Sequence, residues 1–144
     1  DRMDWMIQKA TELGAVAVQP IYSERSQRIP GDIAKRLEHW RGVAIAACEQ
    51  CGRNRVPGVF APISFAETLS ATHGAVNVLL DAEGEHGGVL HSNAVNLFIG
   101  PEGGFAPHER DTLFAHCTHR LRIGSTVLRA ETAAVAAMAL LGNP

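Results

Sequence analysis

The sequence predicts an α/β fold, a mostly parallel sheet with flanking helices. Two features predict it. Apolar runs short enough for buried strands, "AVNVLLD" and "AVNLFIG", alternate with stretches of helical periodicity. In the second half of the chain, each candidate strand runs into a glycine-bearing loop: "DAEGEHGG", "GPEGGFAP" and "GSTVLRAE". Ligands of open α/β sheets bind outside the carboxyl ends of strands, so these three loops are the expected site.

Met3, Met6, Ile7, Ala10 and Leu13 recur at helical spacing, and Gly14 stands where that helix should stop. "AVAVQP" reads as a short strand closed by Pro20, and the polar "IYSERSQRIPG" as a loop. A long helix is expected from about Asp32 to Cys51, with Ile33, Leu37, Trp40 and Ala44 inward and Gly52 ending it. "GRNRVPG" reads as a loop and "VFAP" as a short strand. Ser64 and Glu67 have capping-box spacing, which predicts a short helix there. "DAEGEHGG" lies between two strands and is expected to be a loop. Pro107 suits the first turn of a helix through about Ala115. "HRLRIG" is the last strand, and "AETAAVAAMALLG" an alanine-rich, buried last helix.

The 144 residues fit one domain with a sizeable core, and 46% apolar content argues for a globular chain. A formal charge of −2 carries no global basic signal, so binding of nucleic acid would need a local patch or a further segment. No run approaches membrane-spanning length, and no signal peptide is visible. The chain opens at Asp1 directly in helical periodicity, which predicts a preceding N-terminal part. There are three cysteines. Cys48 and Cys51 have C-x-x-C spacing, and "HCTH" (His116 to His119) could add metal ligands. Yet no second C-x-x-C exists and "AIAACEQCG" reads as a helix end, so small buried residues are the preferred reading and no metal is expected. A reducing, cytoplasmic compartment fits this cysteine usage.

The loop "IGPEGGF" concentrates the chemistry. Gly100, Gly103 and Gly104 can take positive φ and present bare backbone N–H and C=O groups to a flat polar ligand such as adenine. Gly103 is the position where a side chain is expected to enter the ligand's space and forbid positive φ. A tight strand-to-helix turn without a ligand is the plainer alternative. The spacing is neither the dinucleotide fingerprint nor a P-loop, and no nucleophile elbow is evident. His39, His73, His91, His108, His116 and His119 read as surface or strand-edge residues, and only His86 falls in a site loop. Arg129 precedes the last helix, with Glu131 in its first turn, where the helix dipole favours a carboxylate. Arg129 could steady a developing negative charge or grip a phosphate; a local ion pair with a cap is the alternative.

"GPEGGF" followed some twenty residues later by "IGSTVLRAETA" closely resembles the SPOUT-class RNA methyltransferases, and among them the RsmE family of 16S rRNA uridine-N3 methyltransferases. "QKATELG", "QPIYSERSQ" and "EQCGRNRVP" are similar to that family's blocks, so the resemblance covers nearly the whole chain. It implies a single SPOUT domain over residues 1–144, with a C-terminal trefoil knot, S-adenosylmethionine as cofactor and a homodimer. It also implies a β-rich RNA-binding domain ahead of this segment, and 16S rRNA of the small ribosomal subunit as partner. The adenosine pocket it implies uses Leu79, Leu80, Ile99, Gly100, Pro101, Glu102, Gly103 and Gly104, then Ile123, Gly124, Val127, Leu128 and Arg129. Arg129 would stabilise negative charge on the base oxygens, and Glu102 or Glu131 would take the N3 proton; structural roles in capping and pairing remain the alternative for both carboxylates. Arg25, Arg28, Arg53 and Arg55, in polar loops, are the candidate RNA contacts, with solvated surface as their alternative. Ala134, Ala137, Met138 and Leu141 are expected at or near the dimer contact. Another RNA such as tRNA, or a non-catalytic RNA- or adenine-binding role in ribosome assembly, stays open.

Overall fold

The computed structural model describes residues 2–86, 94–123 and 129–141. Helix α1 (Arg2–Glu12) packs along α2 (Ile33–Cys51), and Ile7, Trp40 and Ala44 close a core between them with Val59. Asp32 caps α2, accepting the Ala34 N–H at 2.9 Å, and Gly52 ends it, both as expected. Arg53 joins the two helix ends: its Nη1 donates to the carbonyls of Thr11 (2.8 Å) and Ala15 (3.2 Å). This candidate RNA contact therefore commits its guanidinium to the C-terminus of α1, where a cation is favoured.

Two strand pairs follow the same course in parallel. β1 (Ala17–Val18) pairs with β3 (Gly58–Val59), and β2 (Ile21–Tyr22) with β4 (Ile63–Ser64). Neither β2 nor β4 is anticipated by the sequence reading. The gap between the pairs has a local cause: Pro20 and Pro62 lie at the break, and proline has no N–H for the ladder. The Gln19 side chain spans it, donating to the carbonyls of Pro20 (2.7 Å) and Ala61 (2.8 Å). Ser64 then starts α3 (Phe65–Ala71) with the capping box its spacing predicts.

The second half is a three-stranded parallel sheet in the order β6 (Asn96–Phe98), β5 (Asn77–His86), β7 (His119–Arg122). The fold class is thus the α/β class expected; among the described residues the strands pair in parallel, but in three sheets rather than one. Alternation along β5 feeds both faces. Val78 meets Leu121 and Ala137 of α5 (Ala130–Leu141) on one side. Leu79 meets Phe98 and Leu113 of α4 (Pro107–His116) on the other. Full burial of residues this size contributes roughly 1.5–3 kcal/mol each.

One expectation is overturned. Residues 81–86 are not a loop: β5 continues through them, re-pairing with β7 after a register shift between Leu80 and Glu85. Gly84 permits this approach, since a Cβ there would lie 2.8 Å from the Arg120 backbone. His116 is also not a surface residue. It is half-buried, hydrogen-bonded to Thr72 Oγ1 (2.7 Å) and Asn77 Nδ2 (3.2 Å), with its ring edge-on to Phe98.

α4 opens on Ala106, which has no side chain to cap it. Glu109 supplies the missing acceptor. Its carboxylate is buried, with Oε1 accepting the Ala106 N–H and Oε2 the Glu24 N–H, both at 3.1 Å. Replacing Glu109 by Ala would leave two amides without these charge-assisted bonds. Urea unfolding should show a loss of about 3 kcal/mol relative to wild type; a loss within experimental error would show that water replaces the carboxylate at no cost.

Candidate functional site

The middle of β5, the carboxyl end of β7, the loop after β6 and the start of α5 enclose a cavity of about 580 Å³. Leu79, Leu80 and Asp81 through Glu83 form its β5 wall; Ile99 to Glu102, Gly104 and Phe105 form the loop wall; Ile123, Ala130 and Ala133 close it. This is the strand-end position expected for a ligand. Of the pocket residues expected from the sequence, Leu79, Leu80, Ile99, Gly100, Pro101, Glu102, Gly104 and Ile123 line this cavity. Gly124, Val127 and Leu128 lie outside the described residues.

The three loop glycines do three different things. At Gly100 the space of a Cβ is occupied by the Phe105 ring, 3.2 Å away, which packs edge-on against Phe65. Gly103 does not line the cavity; it faces Arg25, whose Nη1 donates to its carbonyl at 3.0 Å. Only Gly104 combines positive φ (75°) with open space where a side chain would stand. The left-handed backbone expected at Gly103 therefore belongs to Gly104, because the turn closed by the Gly104 N–H on the Pro101 carbonyl (2.8 Å) places it one residue later.

Of the candidate catalytic residues, Glu102 lines the cavity and Arg129 and Glu131 do not. Glu102 is exposed and forms an ion pair with Arg2 of α1. Arg129 is exposed at the entry to α5, its carbonyl accepting the Ala133 N–H at 2.9 Å, and it is not part of the cavity wall. Glu131 is half-buried in the first turn of α5. Of the candidate RNA contacts, Arg25 and Arg55 are exposed and Arg28 lies 5.7 Å over the Tyr22 ring.

Sequence reasoning missed a charged cluster in the wall. The Asp81 side chain, only 8% exposed, accepts from Arg110 Nη2 on both oxygens (2.8 and 3.1 Å), from the Glu83 N–H on Oδ1 (3.2 Å) and from Arg120 Nη1 on Oδ2 (3.5 Å). Arg110 Nη2 also reaches Glu83 Oε2 at 3.0 Å. Hydrogen bonds donated to Glu83 and then Asp81 push the Arg110 guanidinium above its ordinary pKa, so its charge is secure. Both arginines stack over Phe114, at 5.0 and 4.3 Å. The alternation D-A-E-G-E in "DAEGEH", with acids at every second residue, is the strand signal that would have found this cluster.

Among the described residues no three His, Cys, Asp or Glu side chains are grouped to hold a metal. Cys48 is buried and directs its thiol to the Arg55 carbonyl, while Cys51 is exposed. Burial pushes the Cys117 thiol up to about 11, away from thiolate chemistry at neutral pH. No helix of the described residues is long and apolar enough to cross a membrane.

The fold has close parallels. The chain is similar to the ribosomal RNA small subunit methyltransferase E from Neisseria gonorrhoeae solved bound to S-adenosyl methionine, at 39% identity and a TM-score of 0.86, over 96% of this chain and 60% of that one. A methyltransferase from Legionella pneumophila, solved with its cofactor SAM bound, shares 35% identity at a TM-score of 0.85, over 96% of this chain and 59% of that one. Among curated relatives, the ribosomal RNA small subunit methyltransferase E of Mesomycoplasma hyopneumoniae is 31% identical over 136 residues, 92% of this chain and 60% of that protein. The chain thus spans about 60% of the length of the relatives it matches. The RNA methyltransferase domain family matches residues 1–142, from the first helix to the last, and the chain belongs to that family.

Proposed function

We propose that this domain binds S-adenosylmethionine in the strand-end cavity and methylates N3 of a uridine in 16S rRNA of the small ribosomal subunit, in the cytoplasm. The observation that carries the reading is the cavity itself, which sets the aliphatic side chains of Leu79, Leu80, Ile99 and Ile123 beside the loop glycines Gly100 and Gly104. The residues present fit such a cofactor. Leu79, Leu80, Ile99 and Ile123 offer apolar surface to a flat ring, and the open, left-handed backbone at Gly104 lets polar ligand edges approach main-chain groups. When bound, the cofactor supplies an electrophilic methyl group. The chain's own part is to orient the base, exclude water and manage one proton. Uracil N3 is a poor nucleophile until deprotonated. Arg129 stabilises the resulting charge on the base oxygens, and Glu131 or Glu102 accepts the proton. Residues 1–144 form one SPOUT domain with a C-terminal trefoil knot, which the chain trace of a crystal structure would test.

The domain acts as a homodimer in this reading, and four residues of α5 are expected at or near its contact. Of these, Ala134 and Ala137 are completely buried within the chain, Ala137 against Val78 and Leu121 of its own sheet, and Met138 and Leu141 are half-buried. Leu140 is the apolar side chain that α5 leaves outward, 51% exposed. Leu140→Glu should shift sedimentation from dimer to monomer with the melting temperature of the isolated fold little changed. A wild type that sediments as a monomer overturns the dimer.

Gly104→Val should abolish binding of S-adenosylmethionine in calorimetry, because a β-branched residue both enters the open space and resists positive φ. Gly103→Ala should keep that binding, since its Cβ would make only ordinary contacts, at 3.8 Å, with the Arg25 stem. The reverse ranking would remove the loop from the cofactor site.

Arg129→Lys keeps the charge but loses the planar fork. Methyl transfer to small-subunit rRNA should fall by about 10²-fold or more, with cofactor affinity changing by only a few-fold. Equal, small losses in both would make Arg129 a structural partner of Glu131.

A further inference from the structure

We propose that Arg25 is a positioning residue that couples binding of an RNA phosphate to the cofactor loop; the proposal rests on the cofactor reading of the strand-end cavity. Three contacts strap the segment 23–28 across this loop, each bridging about eighty residues of sequence. The Glu24 N–H donates to Glu109 Oε2 at 3.1 Å, the Glu24 carboxylate lies 3.3 Å from His108 Nδ1, and Arg25 Nη1 donates to the Gly103 carbonyl at 3.0 Å. The first contact is the anchor. Glu109 is 4% exposed and its other oxygen holds the Ala106 N–H, so the strap is fixed to the start of α4.

The Arg25 contact controls something more specific. The Gly103 carbonyl and the Gly104 N–H belong to one planar peptide unit. Arg25 holds that plane at its oxygen, and the Pro101 carbonyl holds it at its nitrogen, 2.8 Å away. The orientation of this plane sets how Gly104 faces the cavity, at the one loop glycine with positive φ and open space around it. Arg25 is therefore outside the cavity wall yet fixes a peptide that belongs to it.

Arg25 is also suited to a second partner. Its side chain is exposed, and its hydrogen bond to the loop is to an uncharged carbonyl, which leaves the positive charge unneutralised by that contact. A guanidinium has five N–H donors in one rigid plane, so a phosphate can engage further donors while Nη1 stays on Gly103. A phosphate so bound restrains the guanidinium, and with it the peptide plane. The cofactor then meets a loop already ordered, which gives positive coupling without any large movement. The coupling is reciprocal, so bound cofactor strengthens the hold on RNA by the same factor.

The test is calorimetric titration of S-adenosylmethionine into wild type, Arg25→Lys and Arg25→Ala, each alone and with an in vitro transcript of small-subunit rRNA. In wild type the RNA should lower the cofactor Kd by about fivefold or more. Both variants should bind cofactor a few-fold more weakly on their own and show no RNA effect, while their circular dichroism matches wild type. Arg25→Lys is the decisive variant, because it keeps the charge and the stem and loses only the shared plane. A full-sized RNA effect in Arg25→Lys, or none in wild type, overturns the coupling. A wild type that binds no S-adenosylmethionine at all fails differently, and takes the cofactor reading with it.

Discussion

β5 has a parallel neighbour on each edge and a covered surface on each face. A strand in that position cannot slip by one residue, because every side chain would change faces. Val78 and Leu79 would exchange environments, and both are completely or almost completely buried. That constraint sets where β5 ends relative to β6 and β7. The carboxyl ends of β6 and β7 carry Ile99 and Ile123 to the side of Leu79 and Leu80 within β5, and the cavity is the space they leave. The amino ends are tied just as firmly: Asn77, Asn96, Thr72, Thr118 and His116 share a hydrogen-bond network at the other end of the sheet.

The loop after β6 shows how three glycines in one motif need not share a reason. Gly100 makes room for a phenylalanine of its own loop, Gly103 meets an arginine from far away in sequence, and Gly104 turns the chain. Only the last needs glycine for its backbone conformation. Glu109 binds the arrangement together by serving two segments at once, one on each carboxylate oxygen. A buried carboxylate with both oxygens donated to by backbone amides is stabilised where it is, whereas an unpartnered one would be costly.

The Asp81 cluster adds rigidity to the opposite wall. Its carboxylate is almost fully covered and accepts from Arg110, while Glu83 meets the same guanidinium from the exposed side. Pairs of this kind contribute little net stability when both charges must be desolvated. Their effect here is geometric: Arg110 and Arg120 are held over Phe114, and α4 is pinned to the end of β5.

Sequence periodicity and punctuation determined the helices of this protein almost to the residue, because caps and stops are local. Asp32, Gly52, Ser64 with Glu67, and Pro107 each act within one turn of their own position. The α/β class and the strand-end location of the cavity were legible for the same reason, as was about half of the cavity wall through the family resemblance. The tertiary structure alone decided what depends on contacts between distant segments. Two-residue strands such as β2 and β4 have too few side chains for a period and exist only through each other. The continuation of β5 through Asp81 to His86 was hidden by its charges, whose partners sit on α4 and β7. Which face of α5 is buried, and which glycine meets the cavity, also followed from packing: a helix rich in alanine marks no face of its own, and a glycine shows its role only through what stands where its side chain would be.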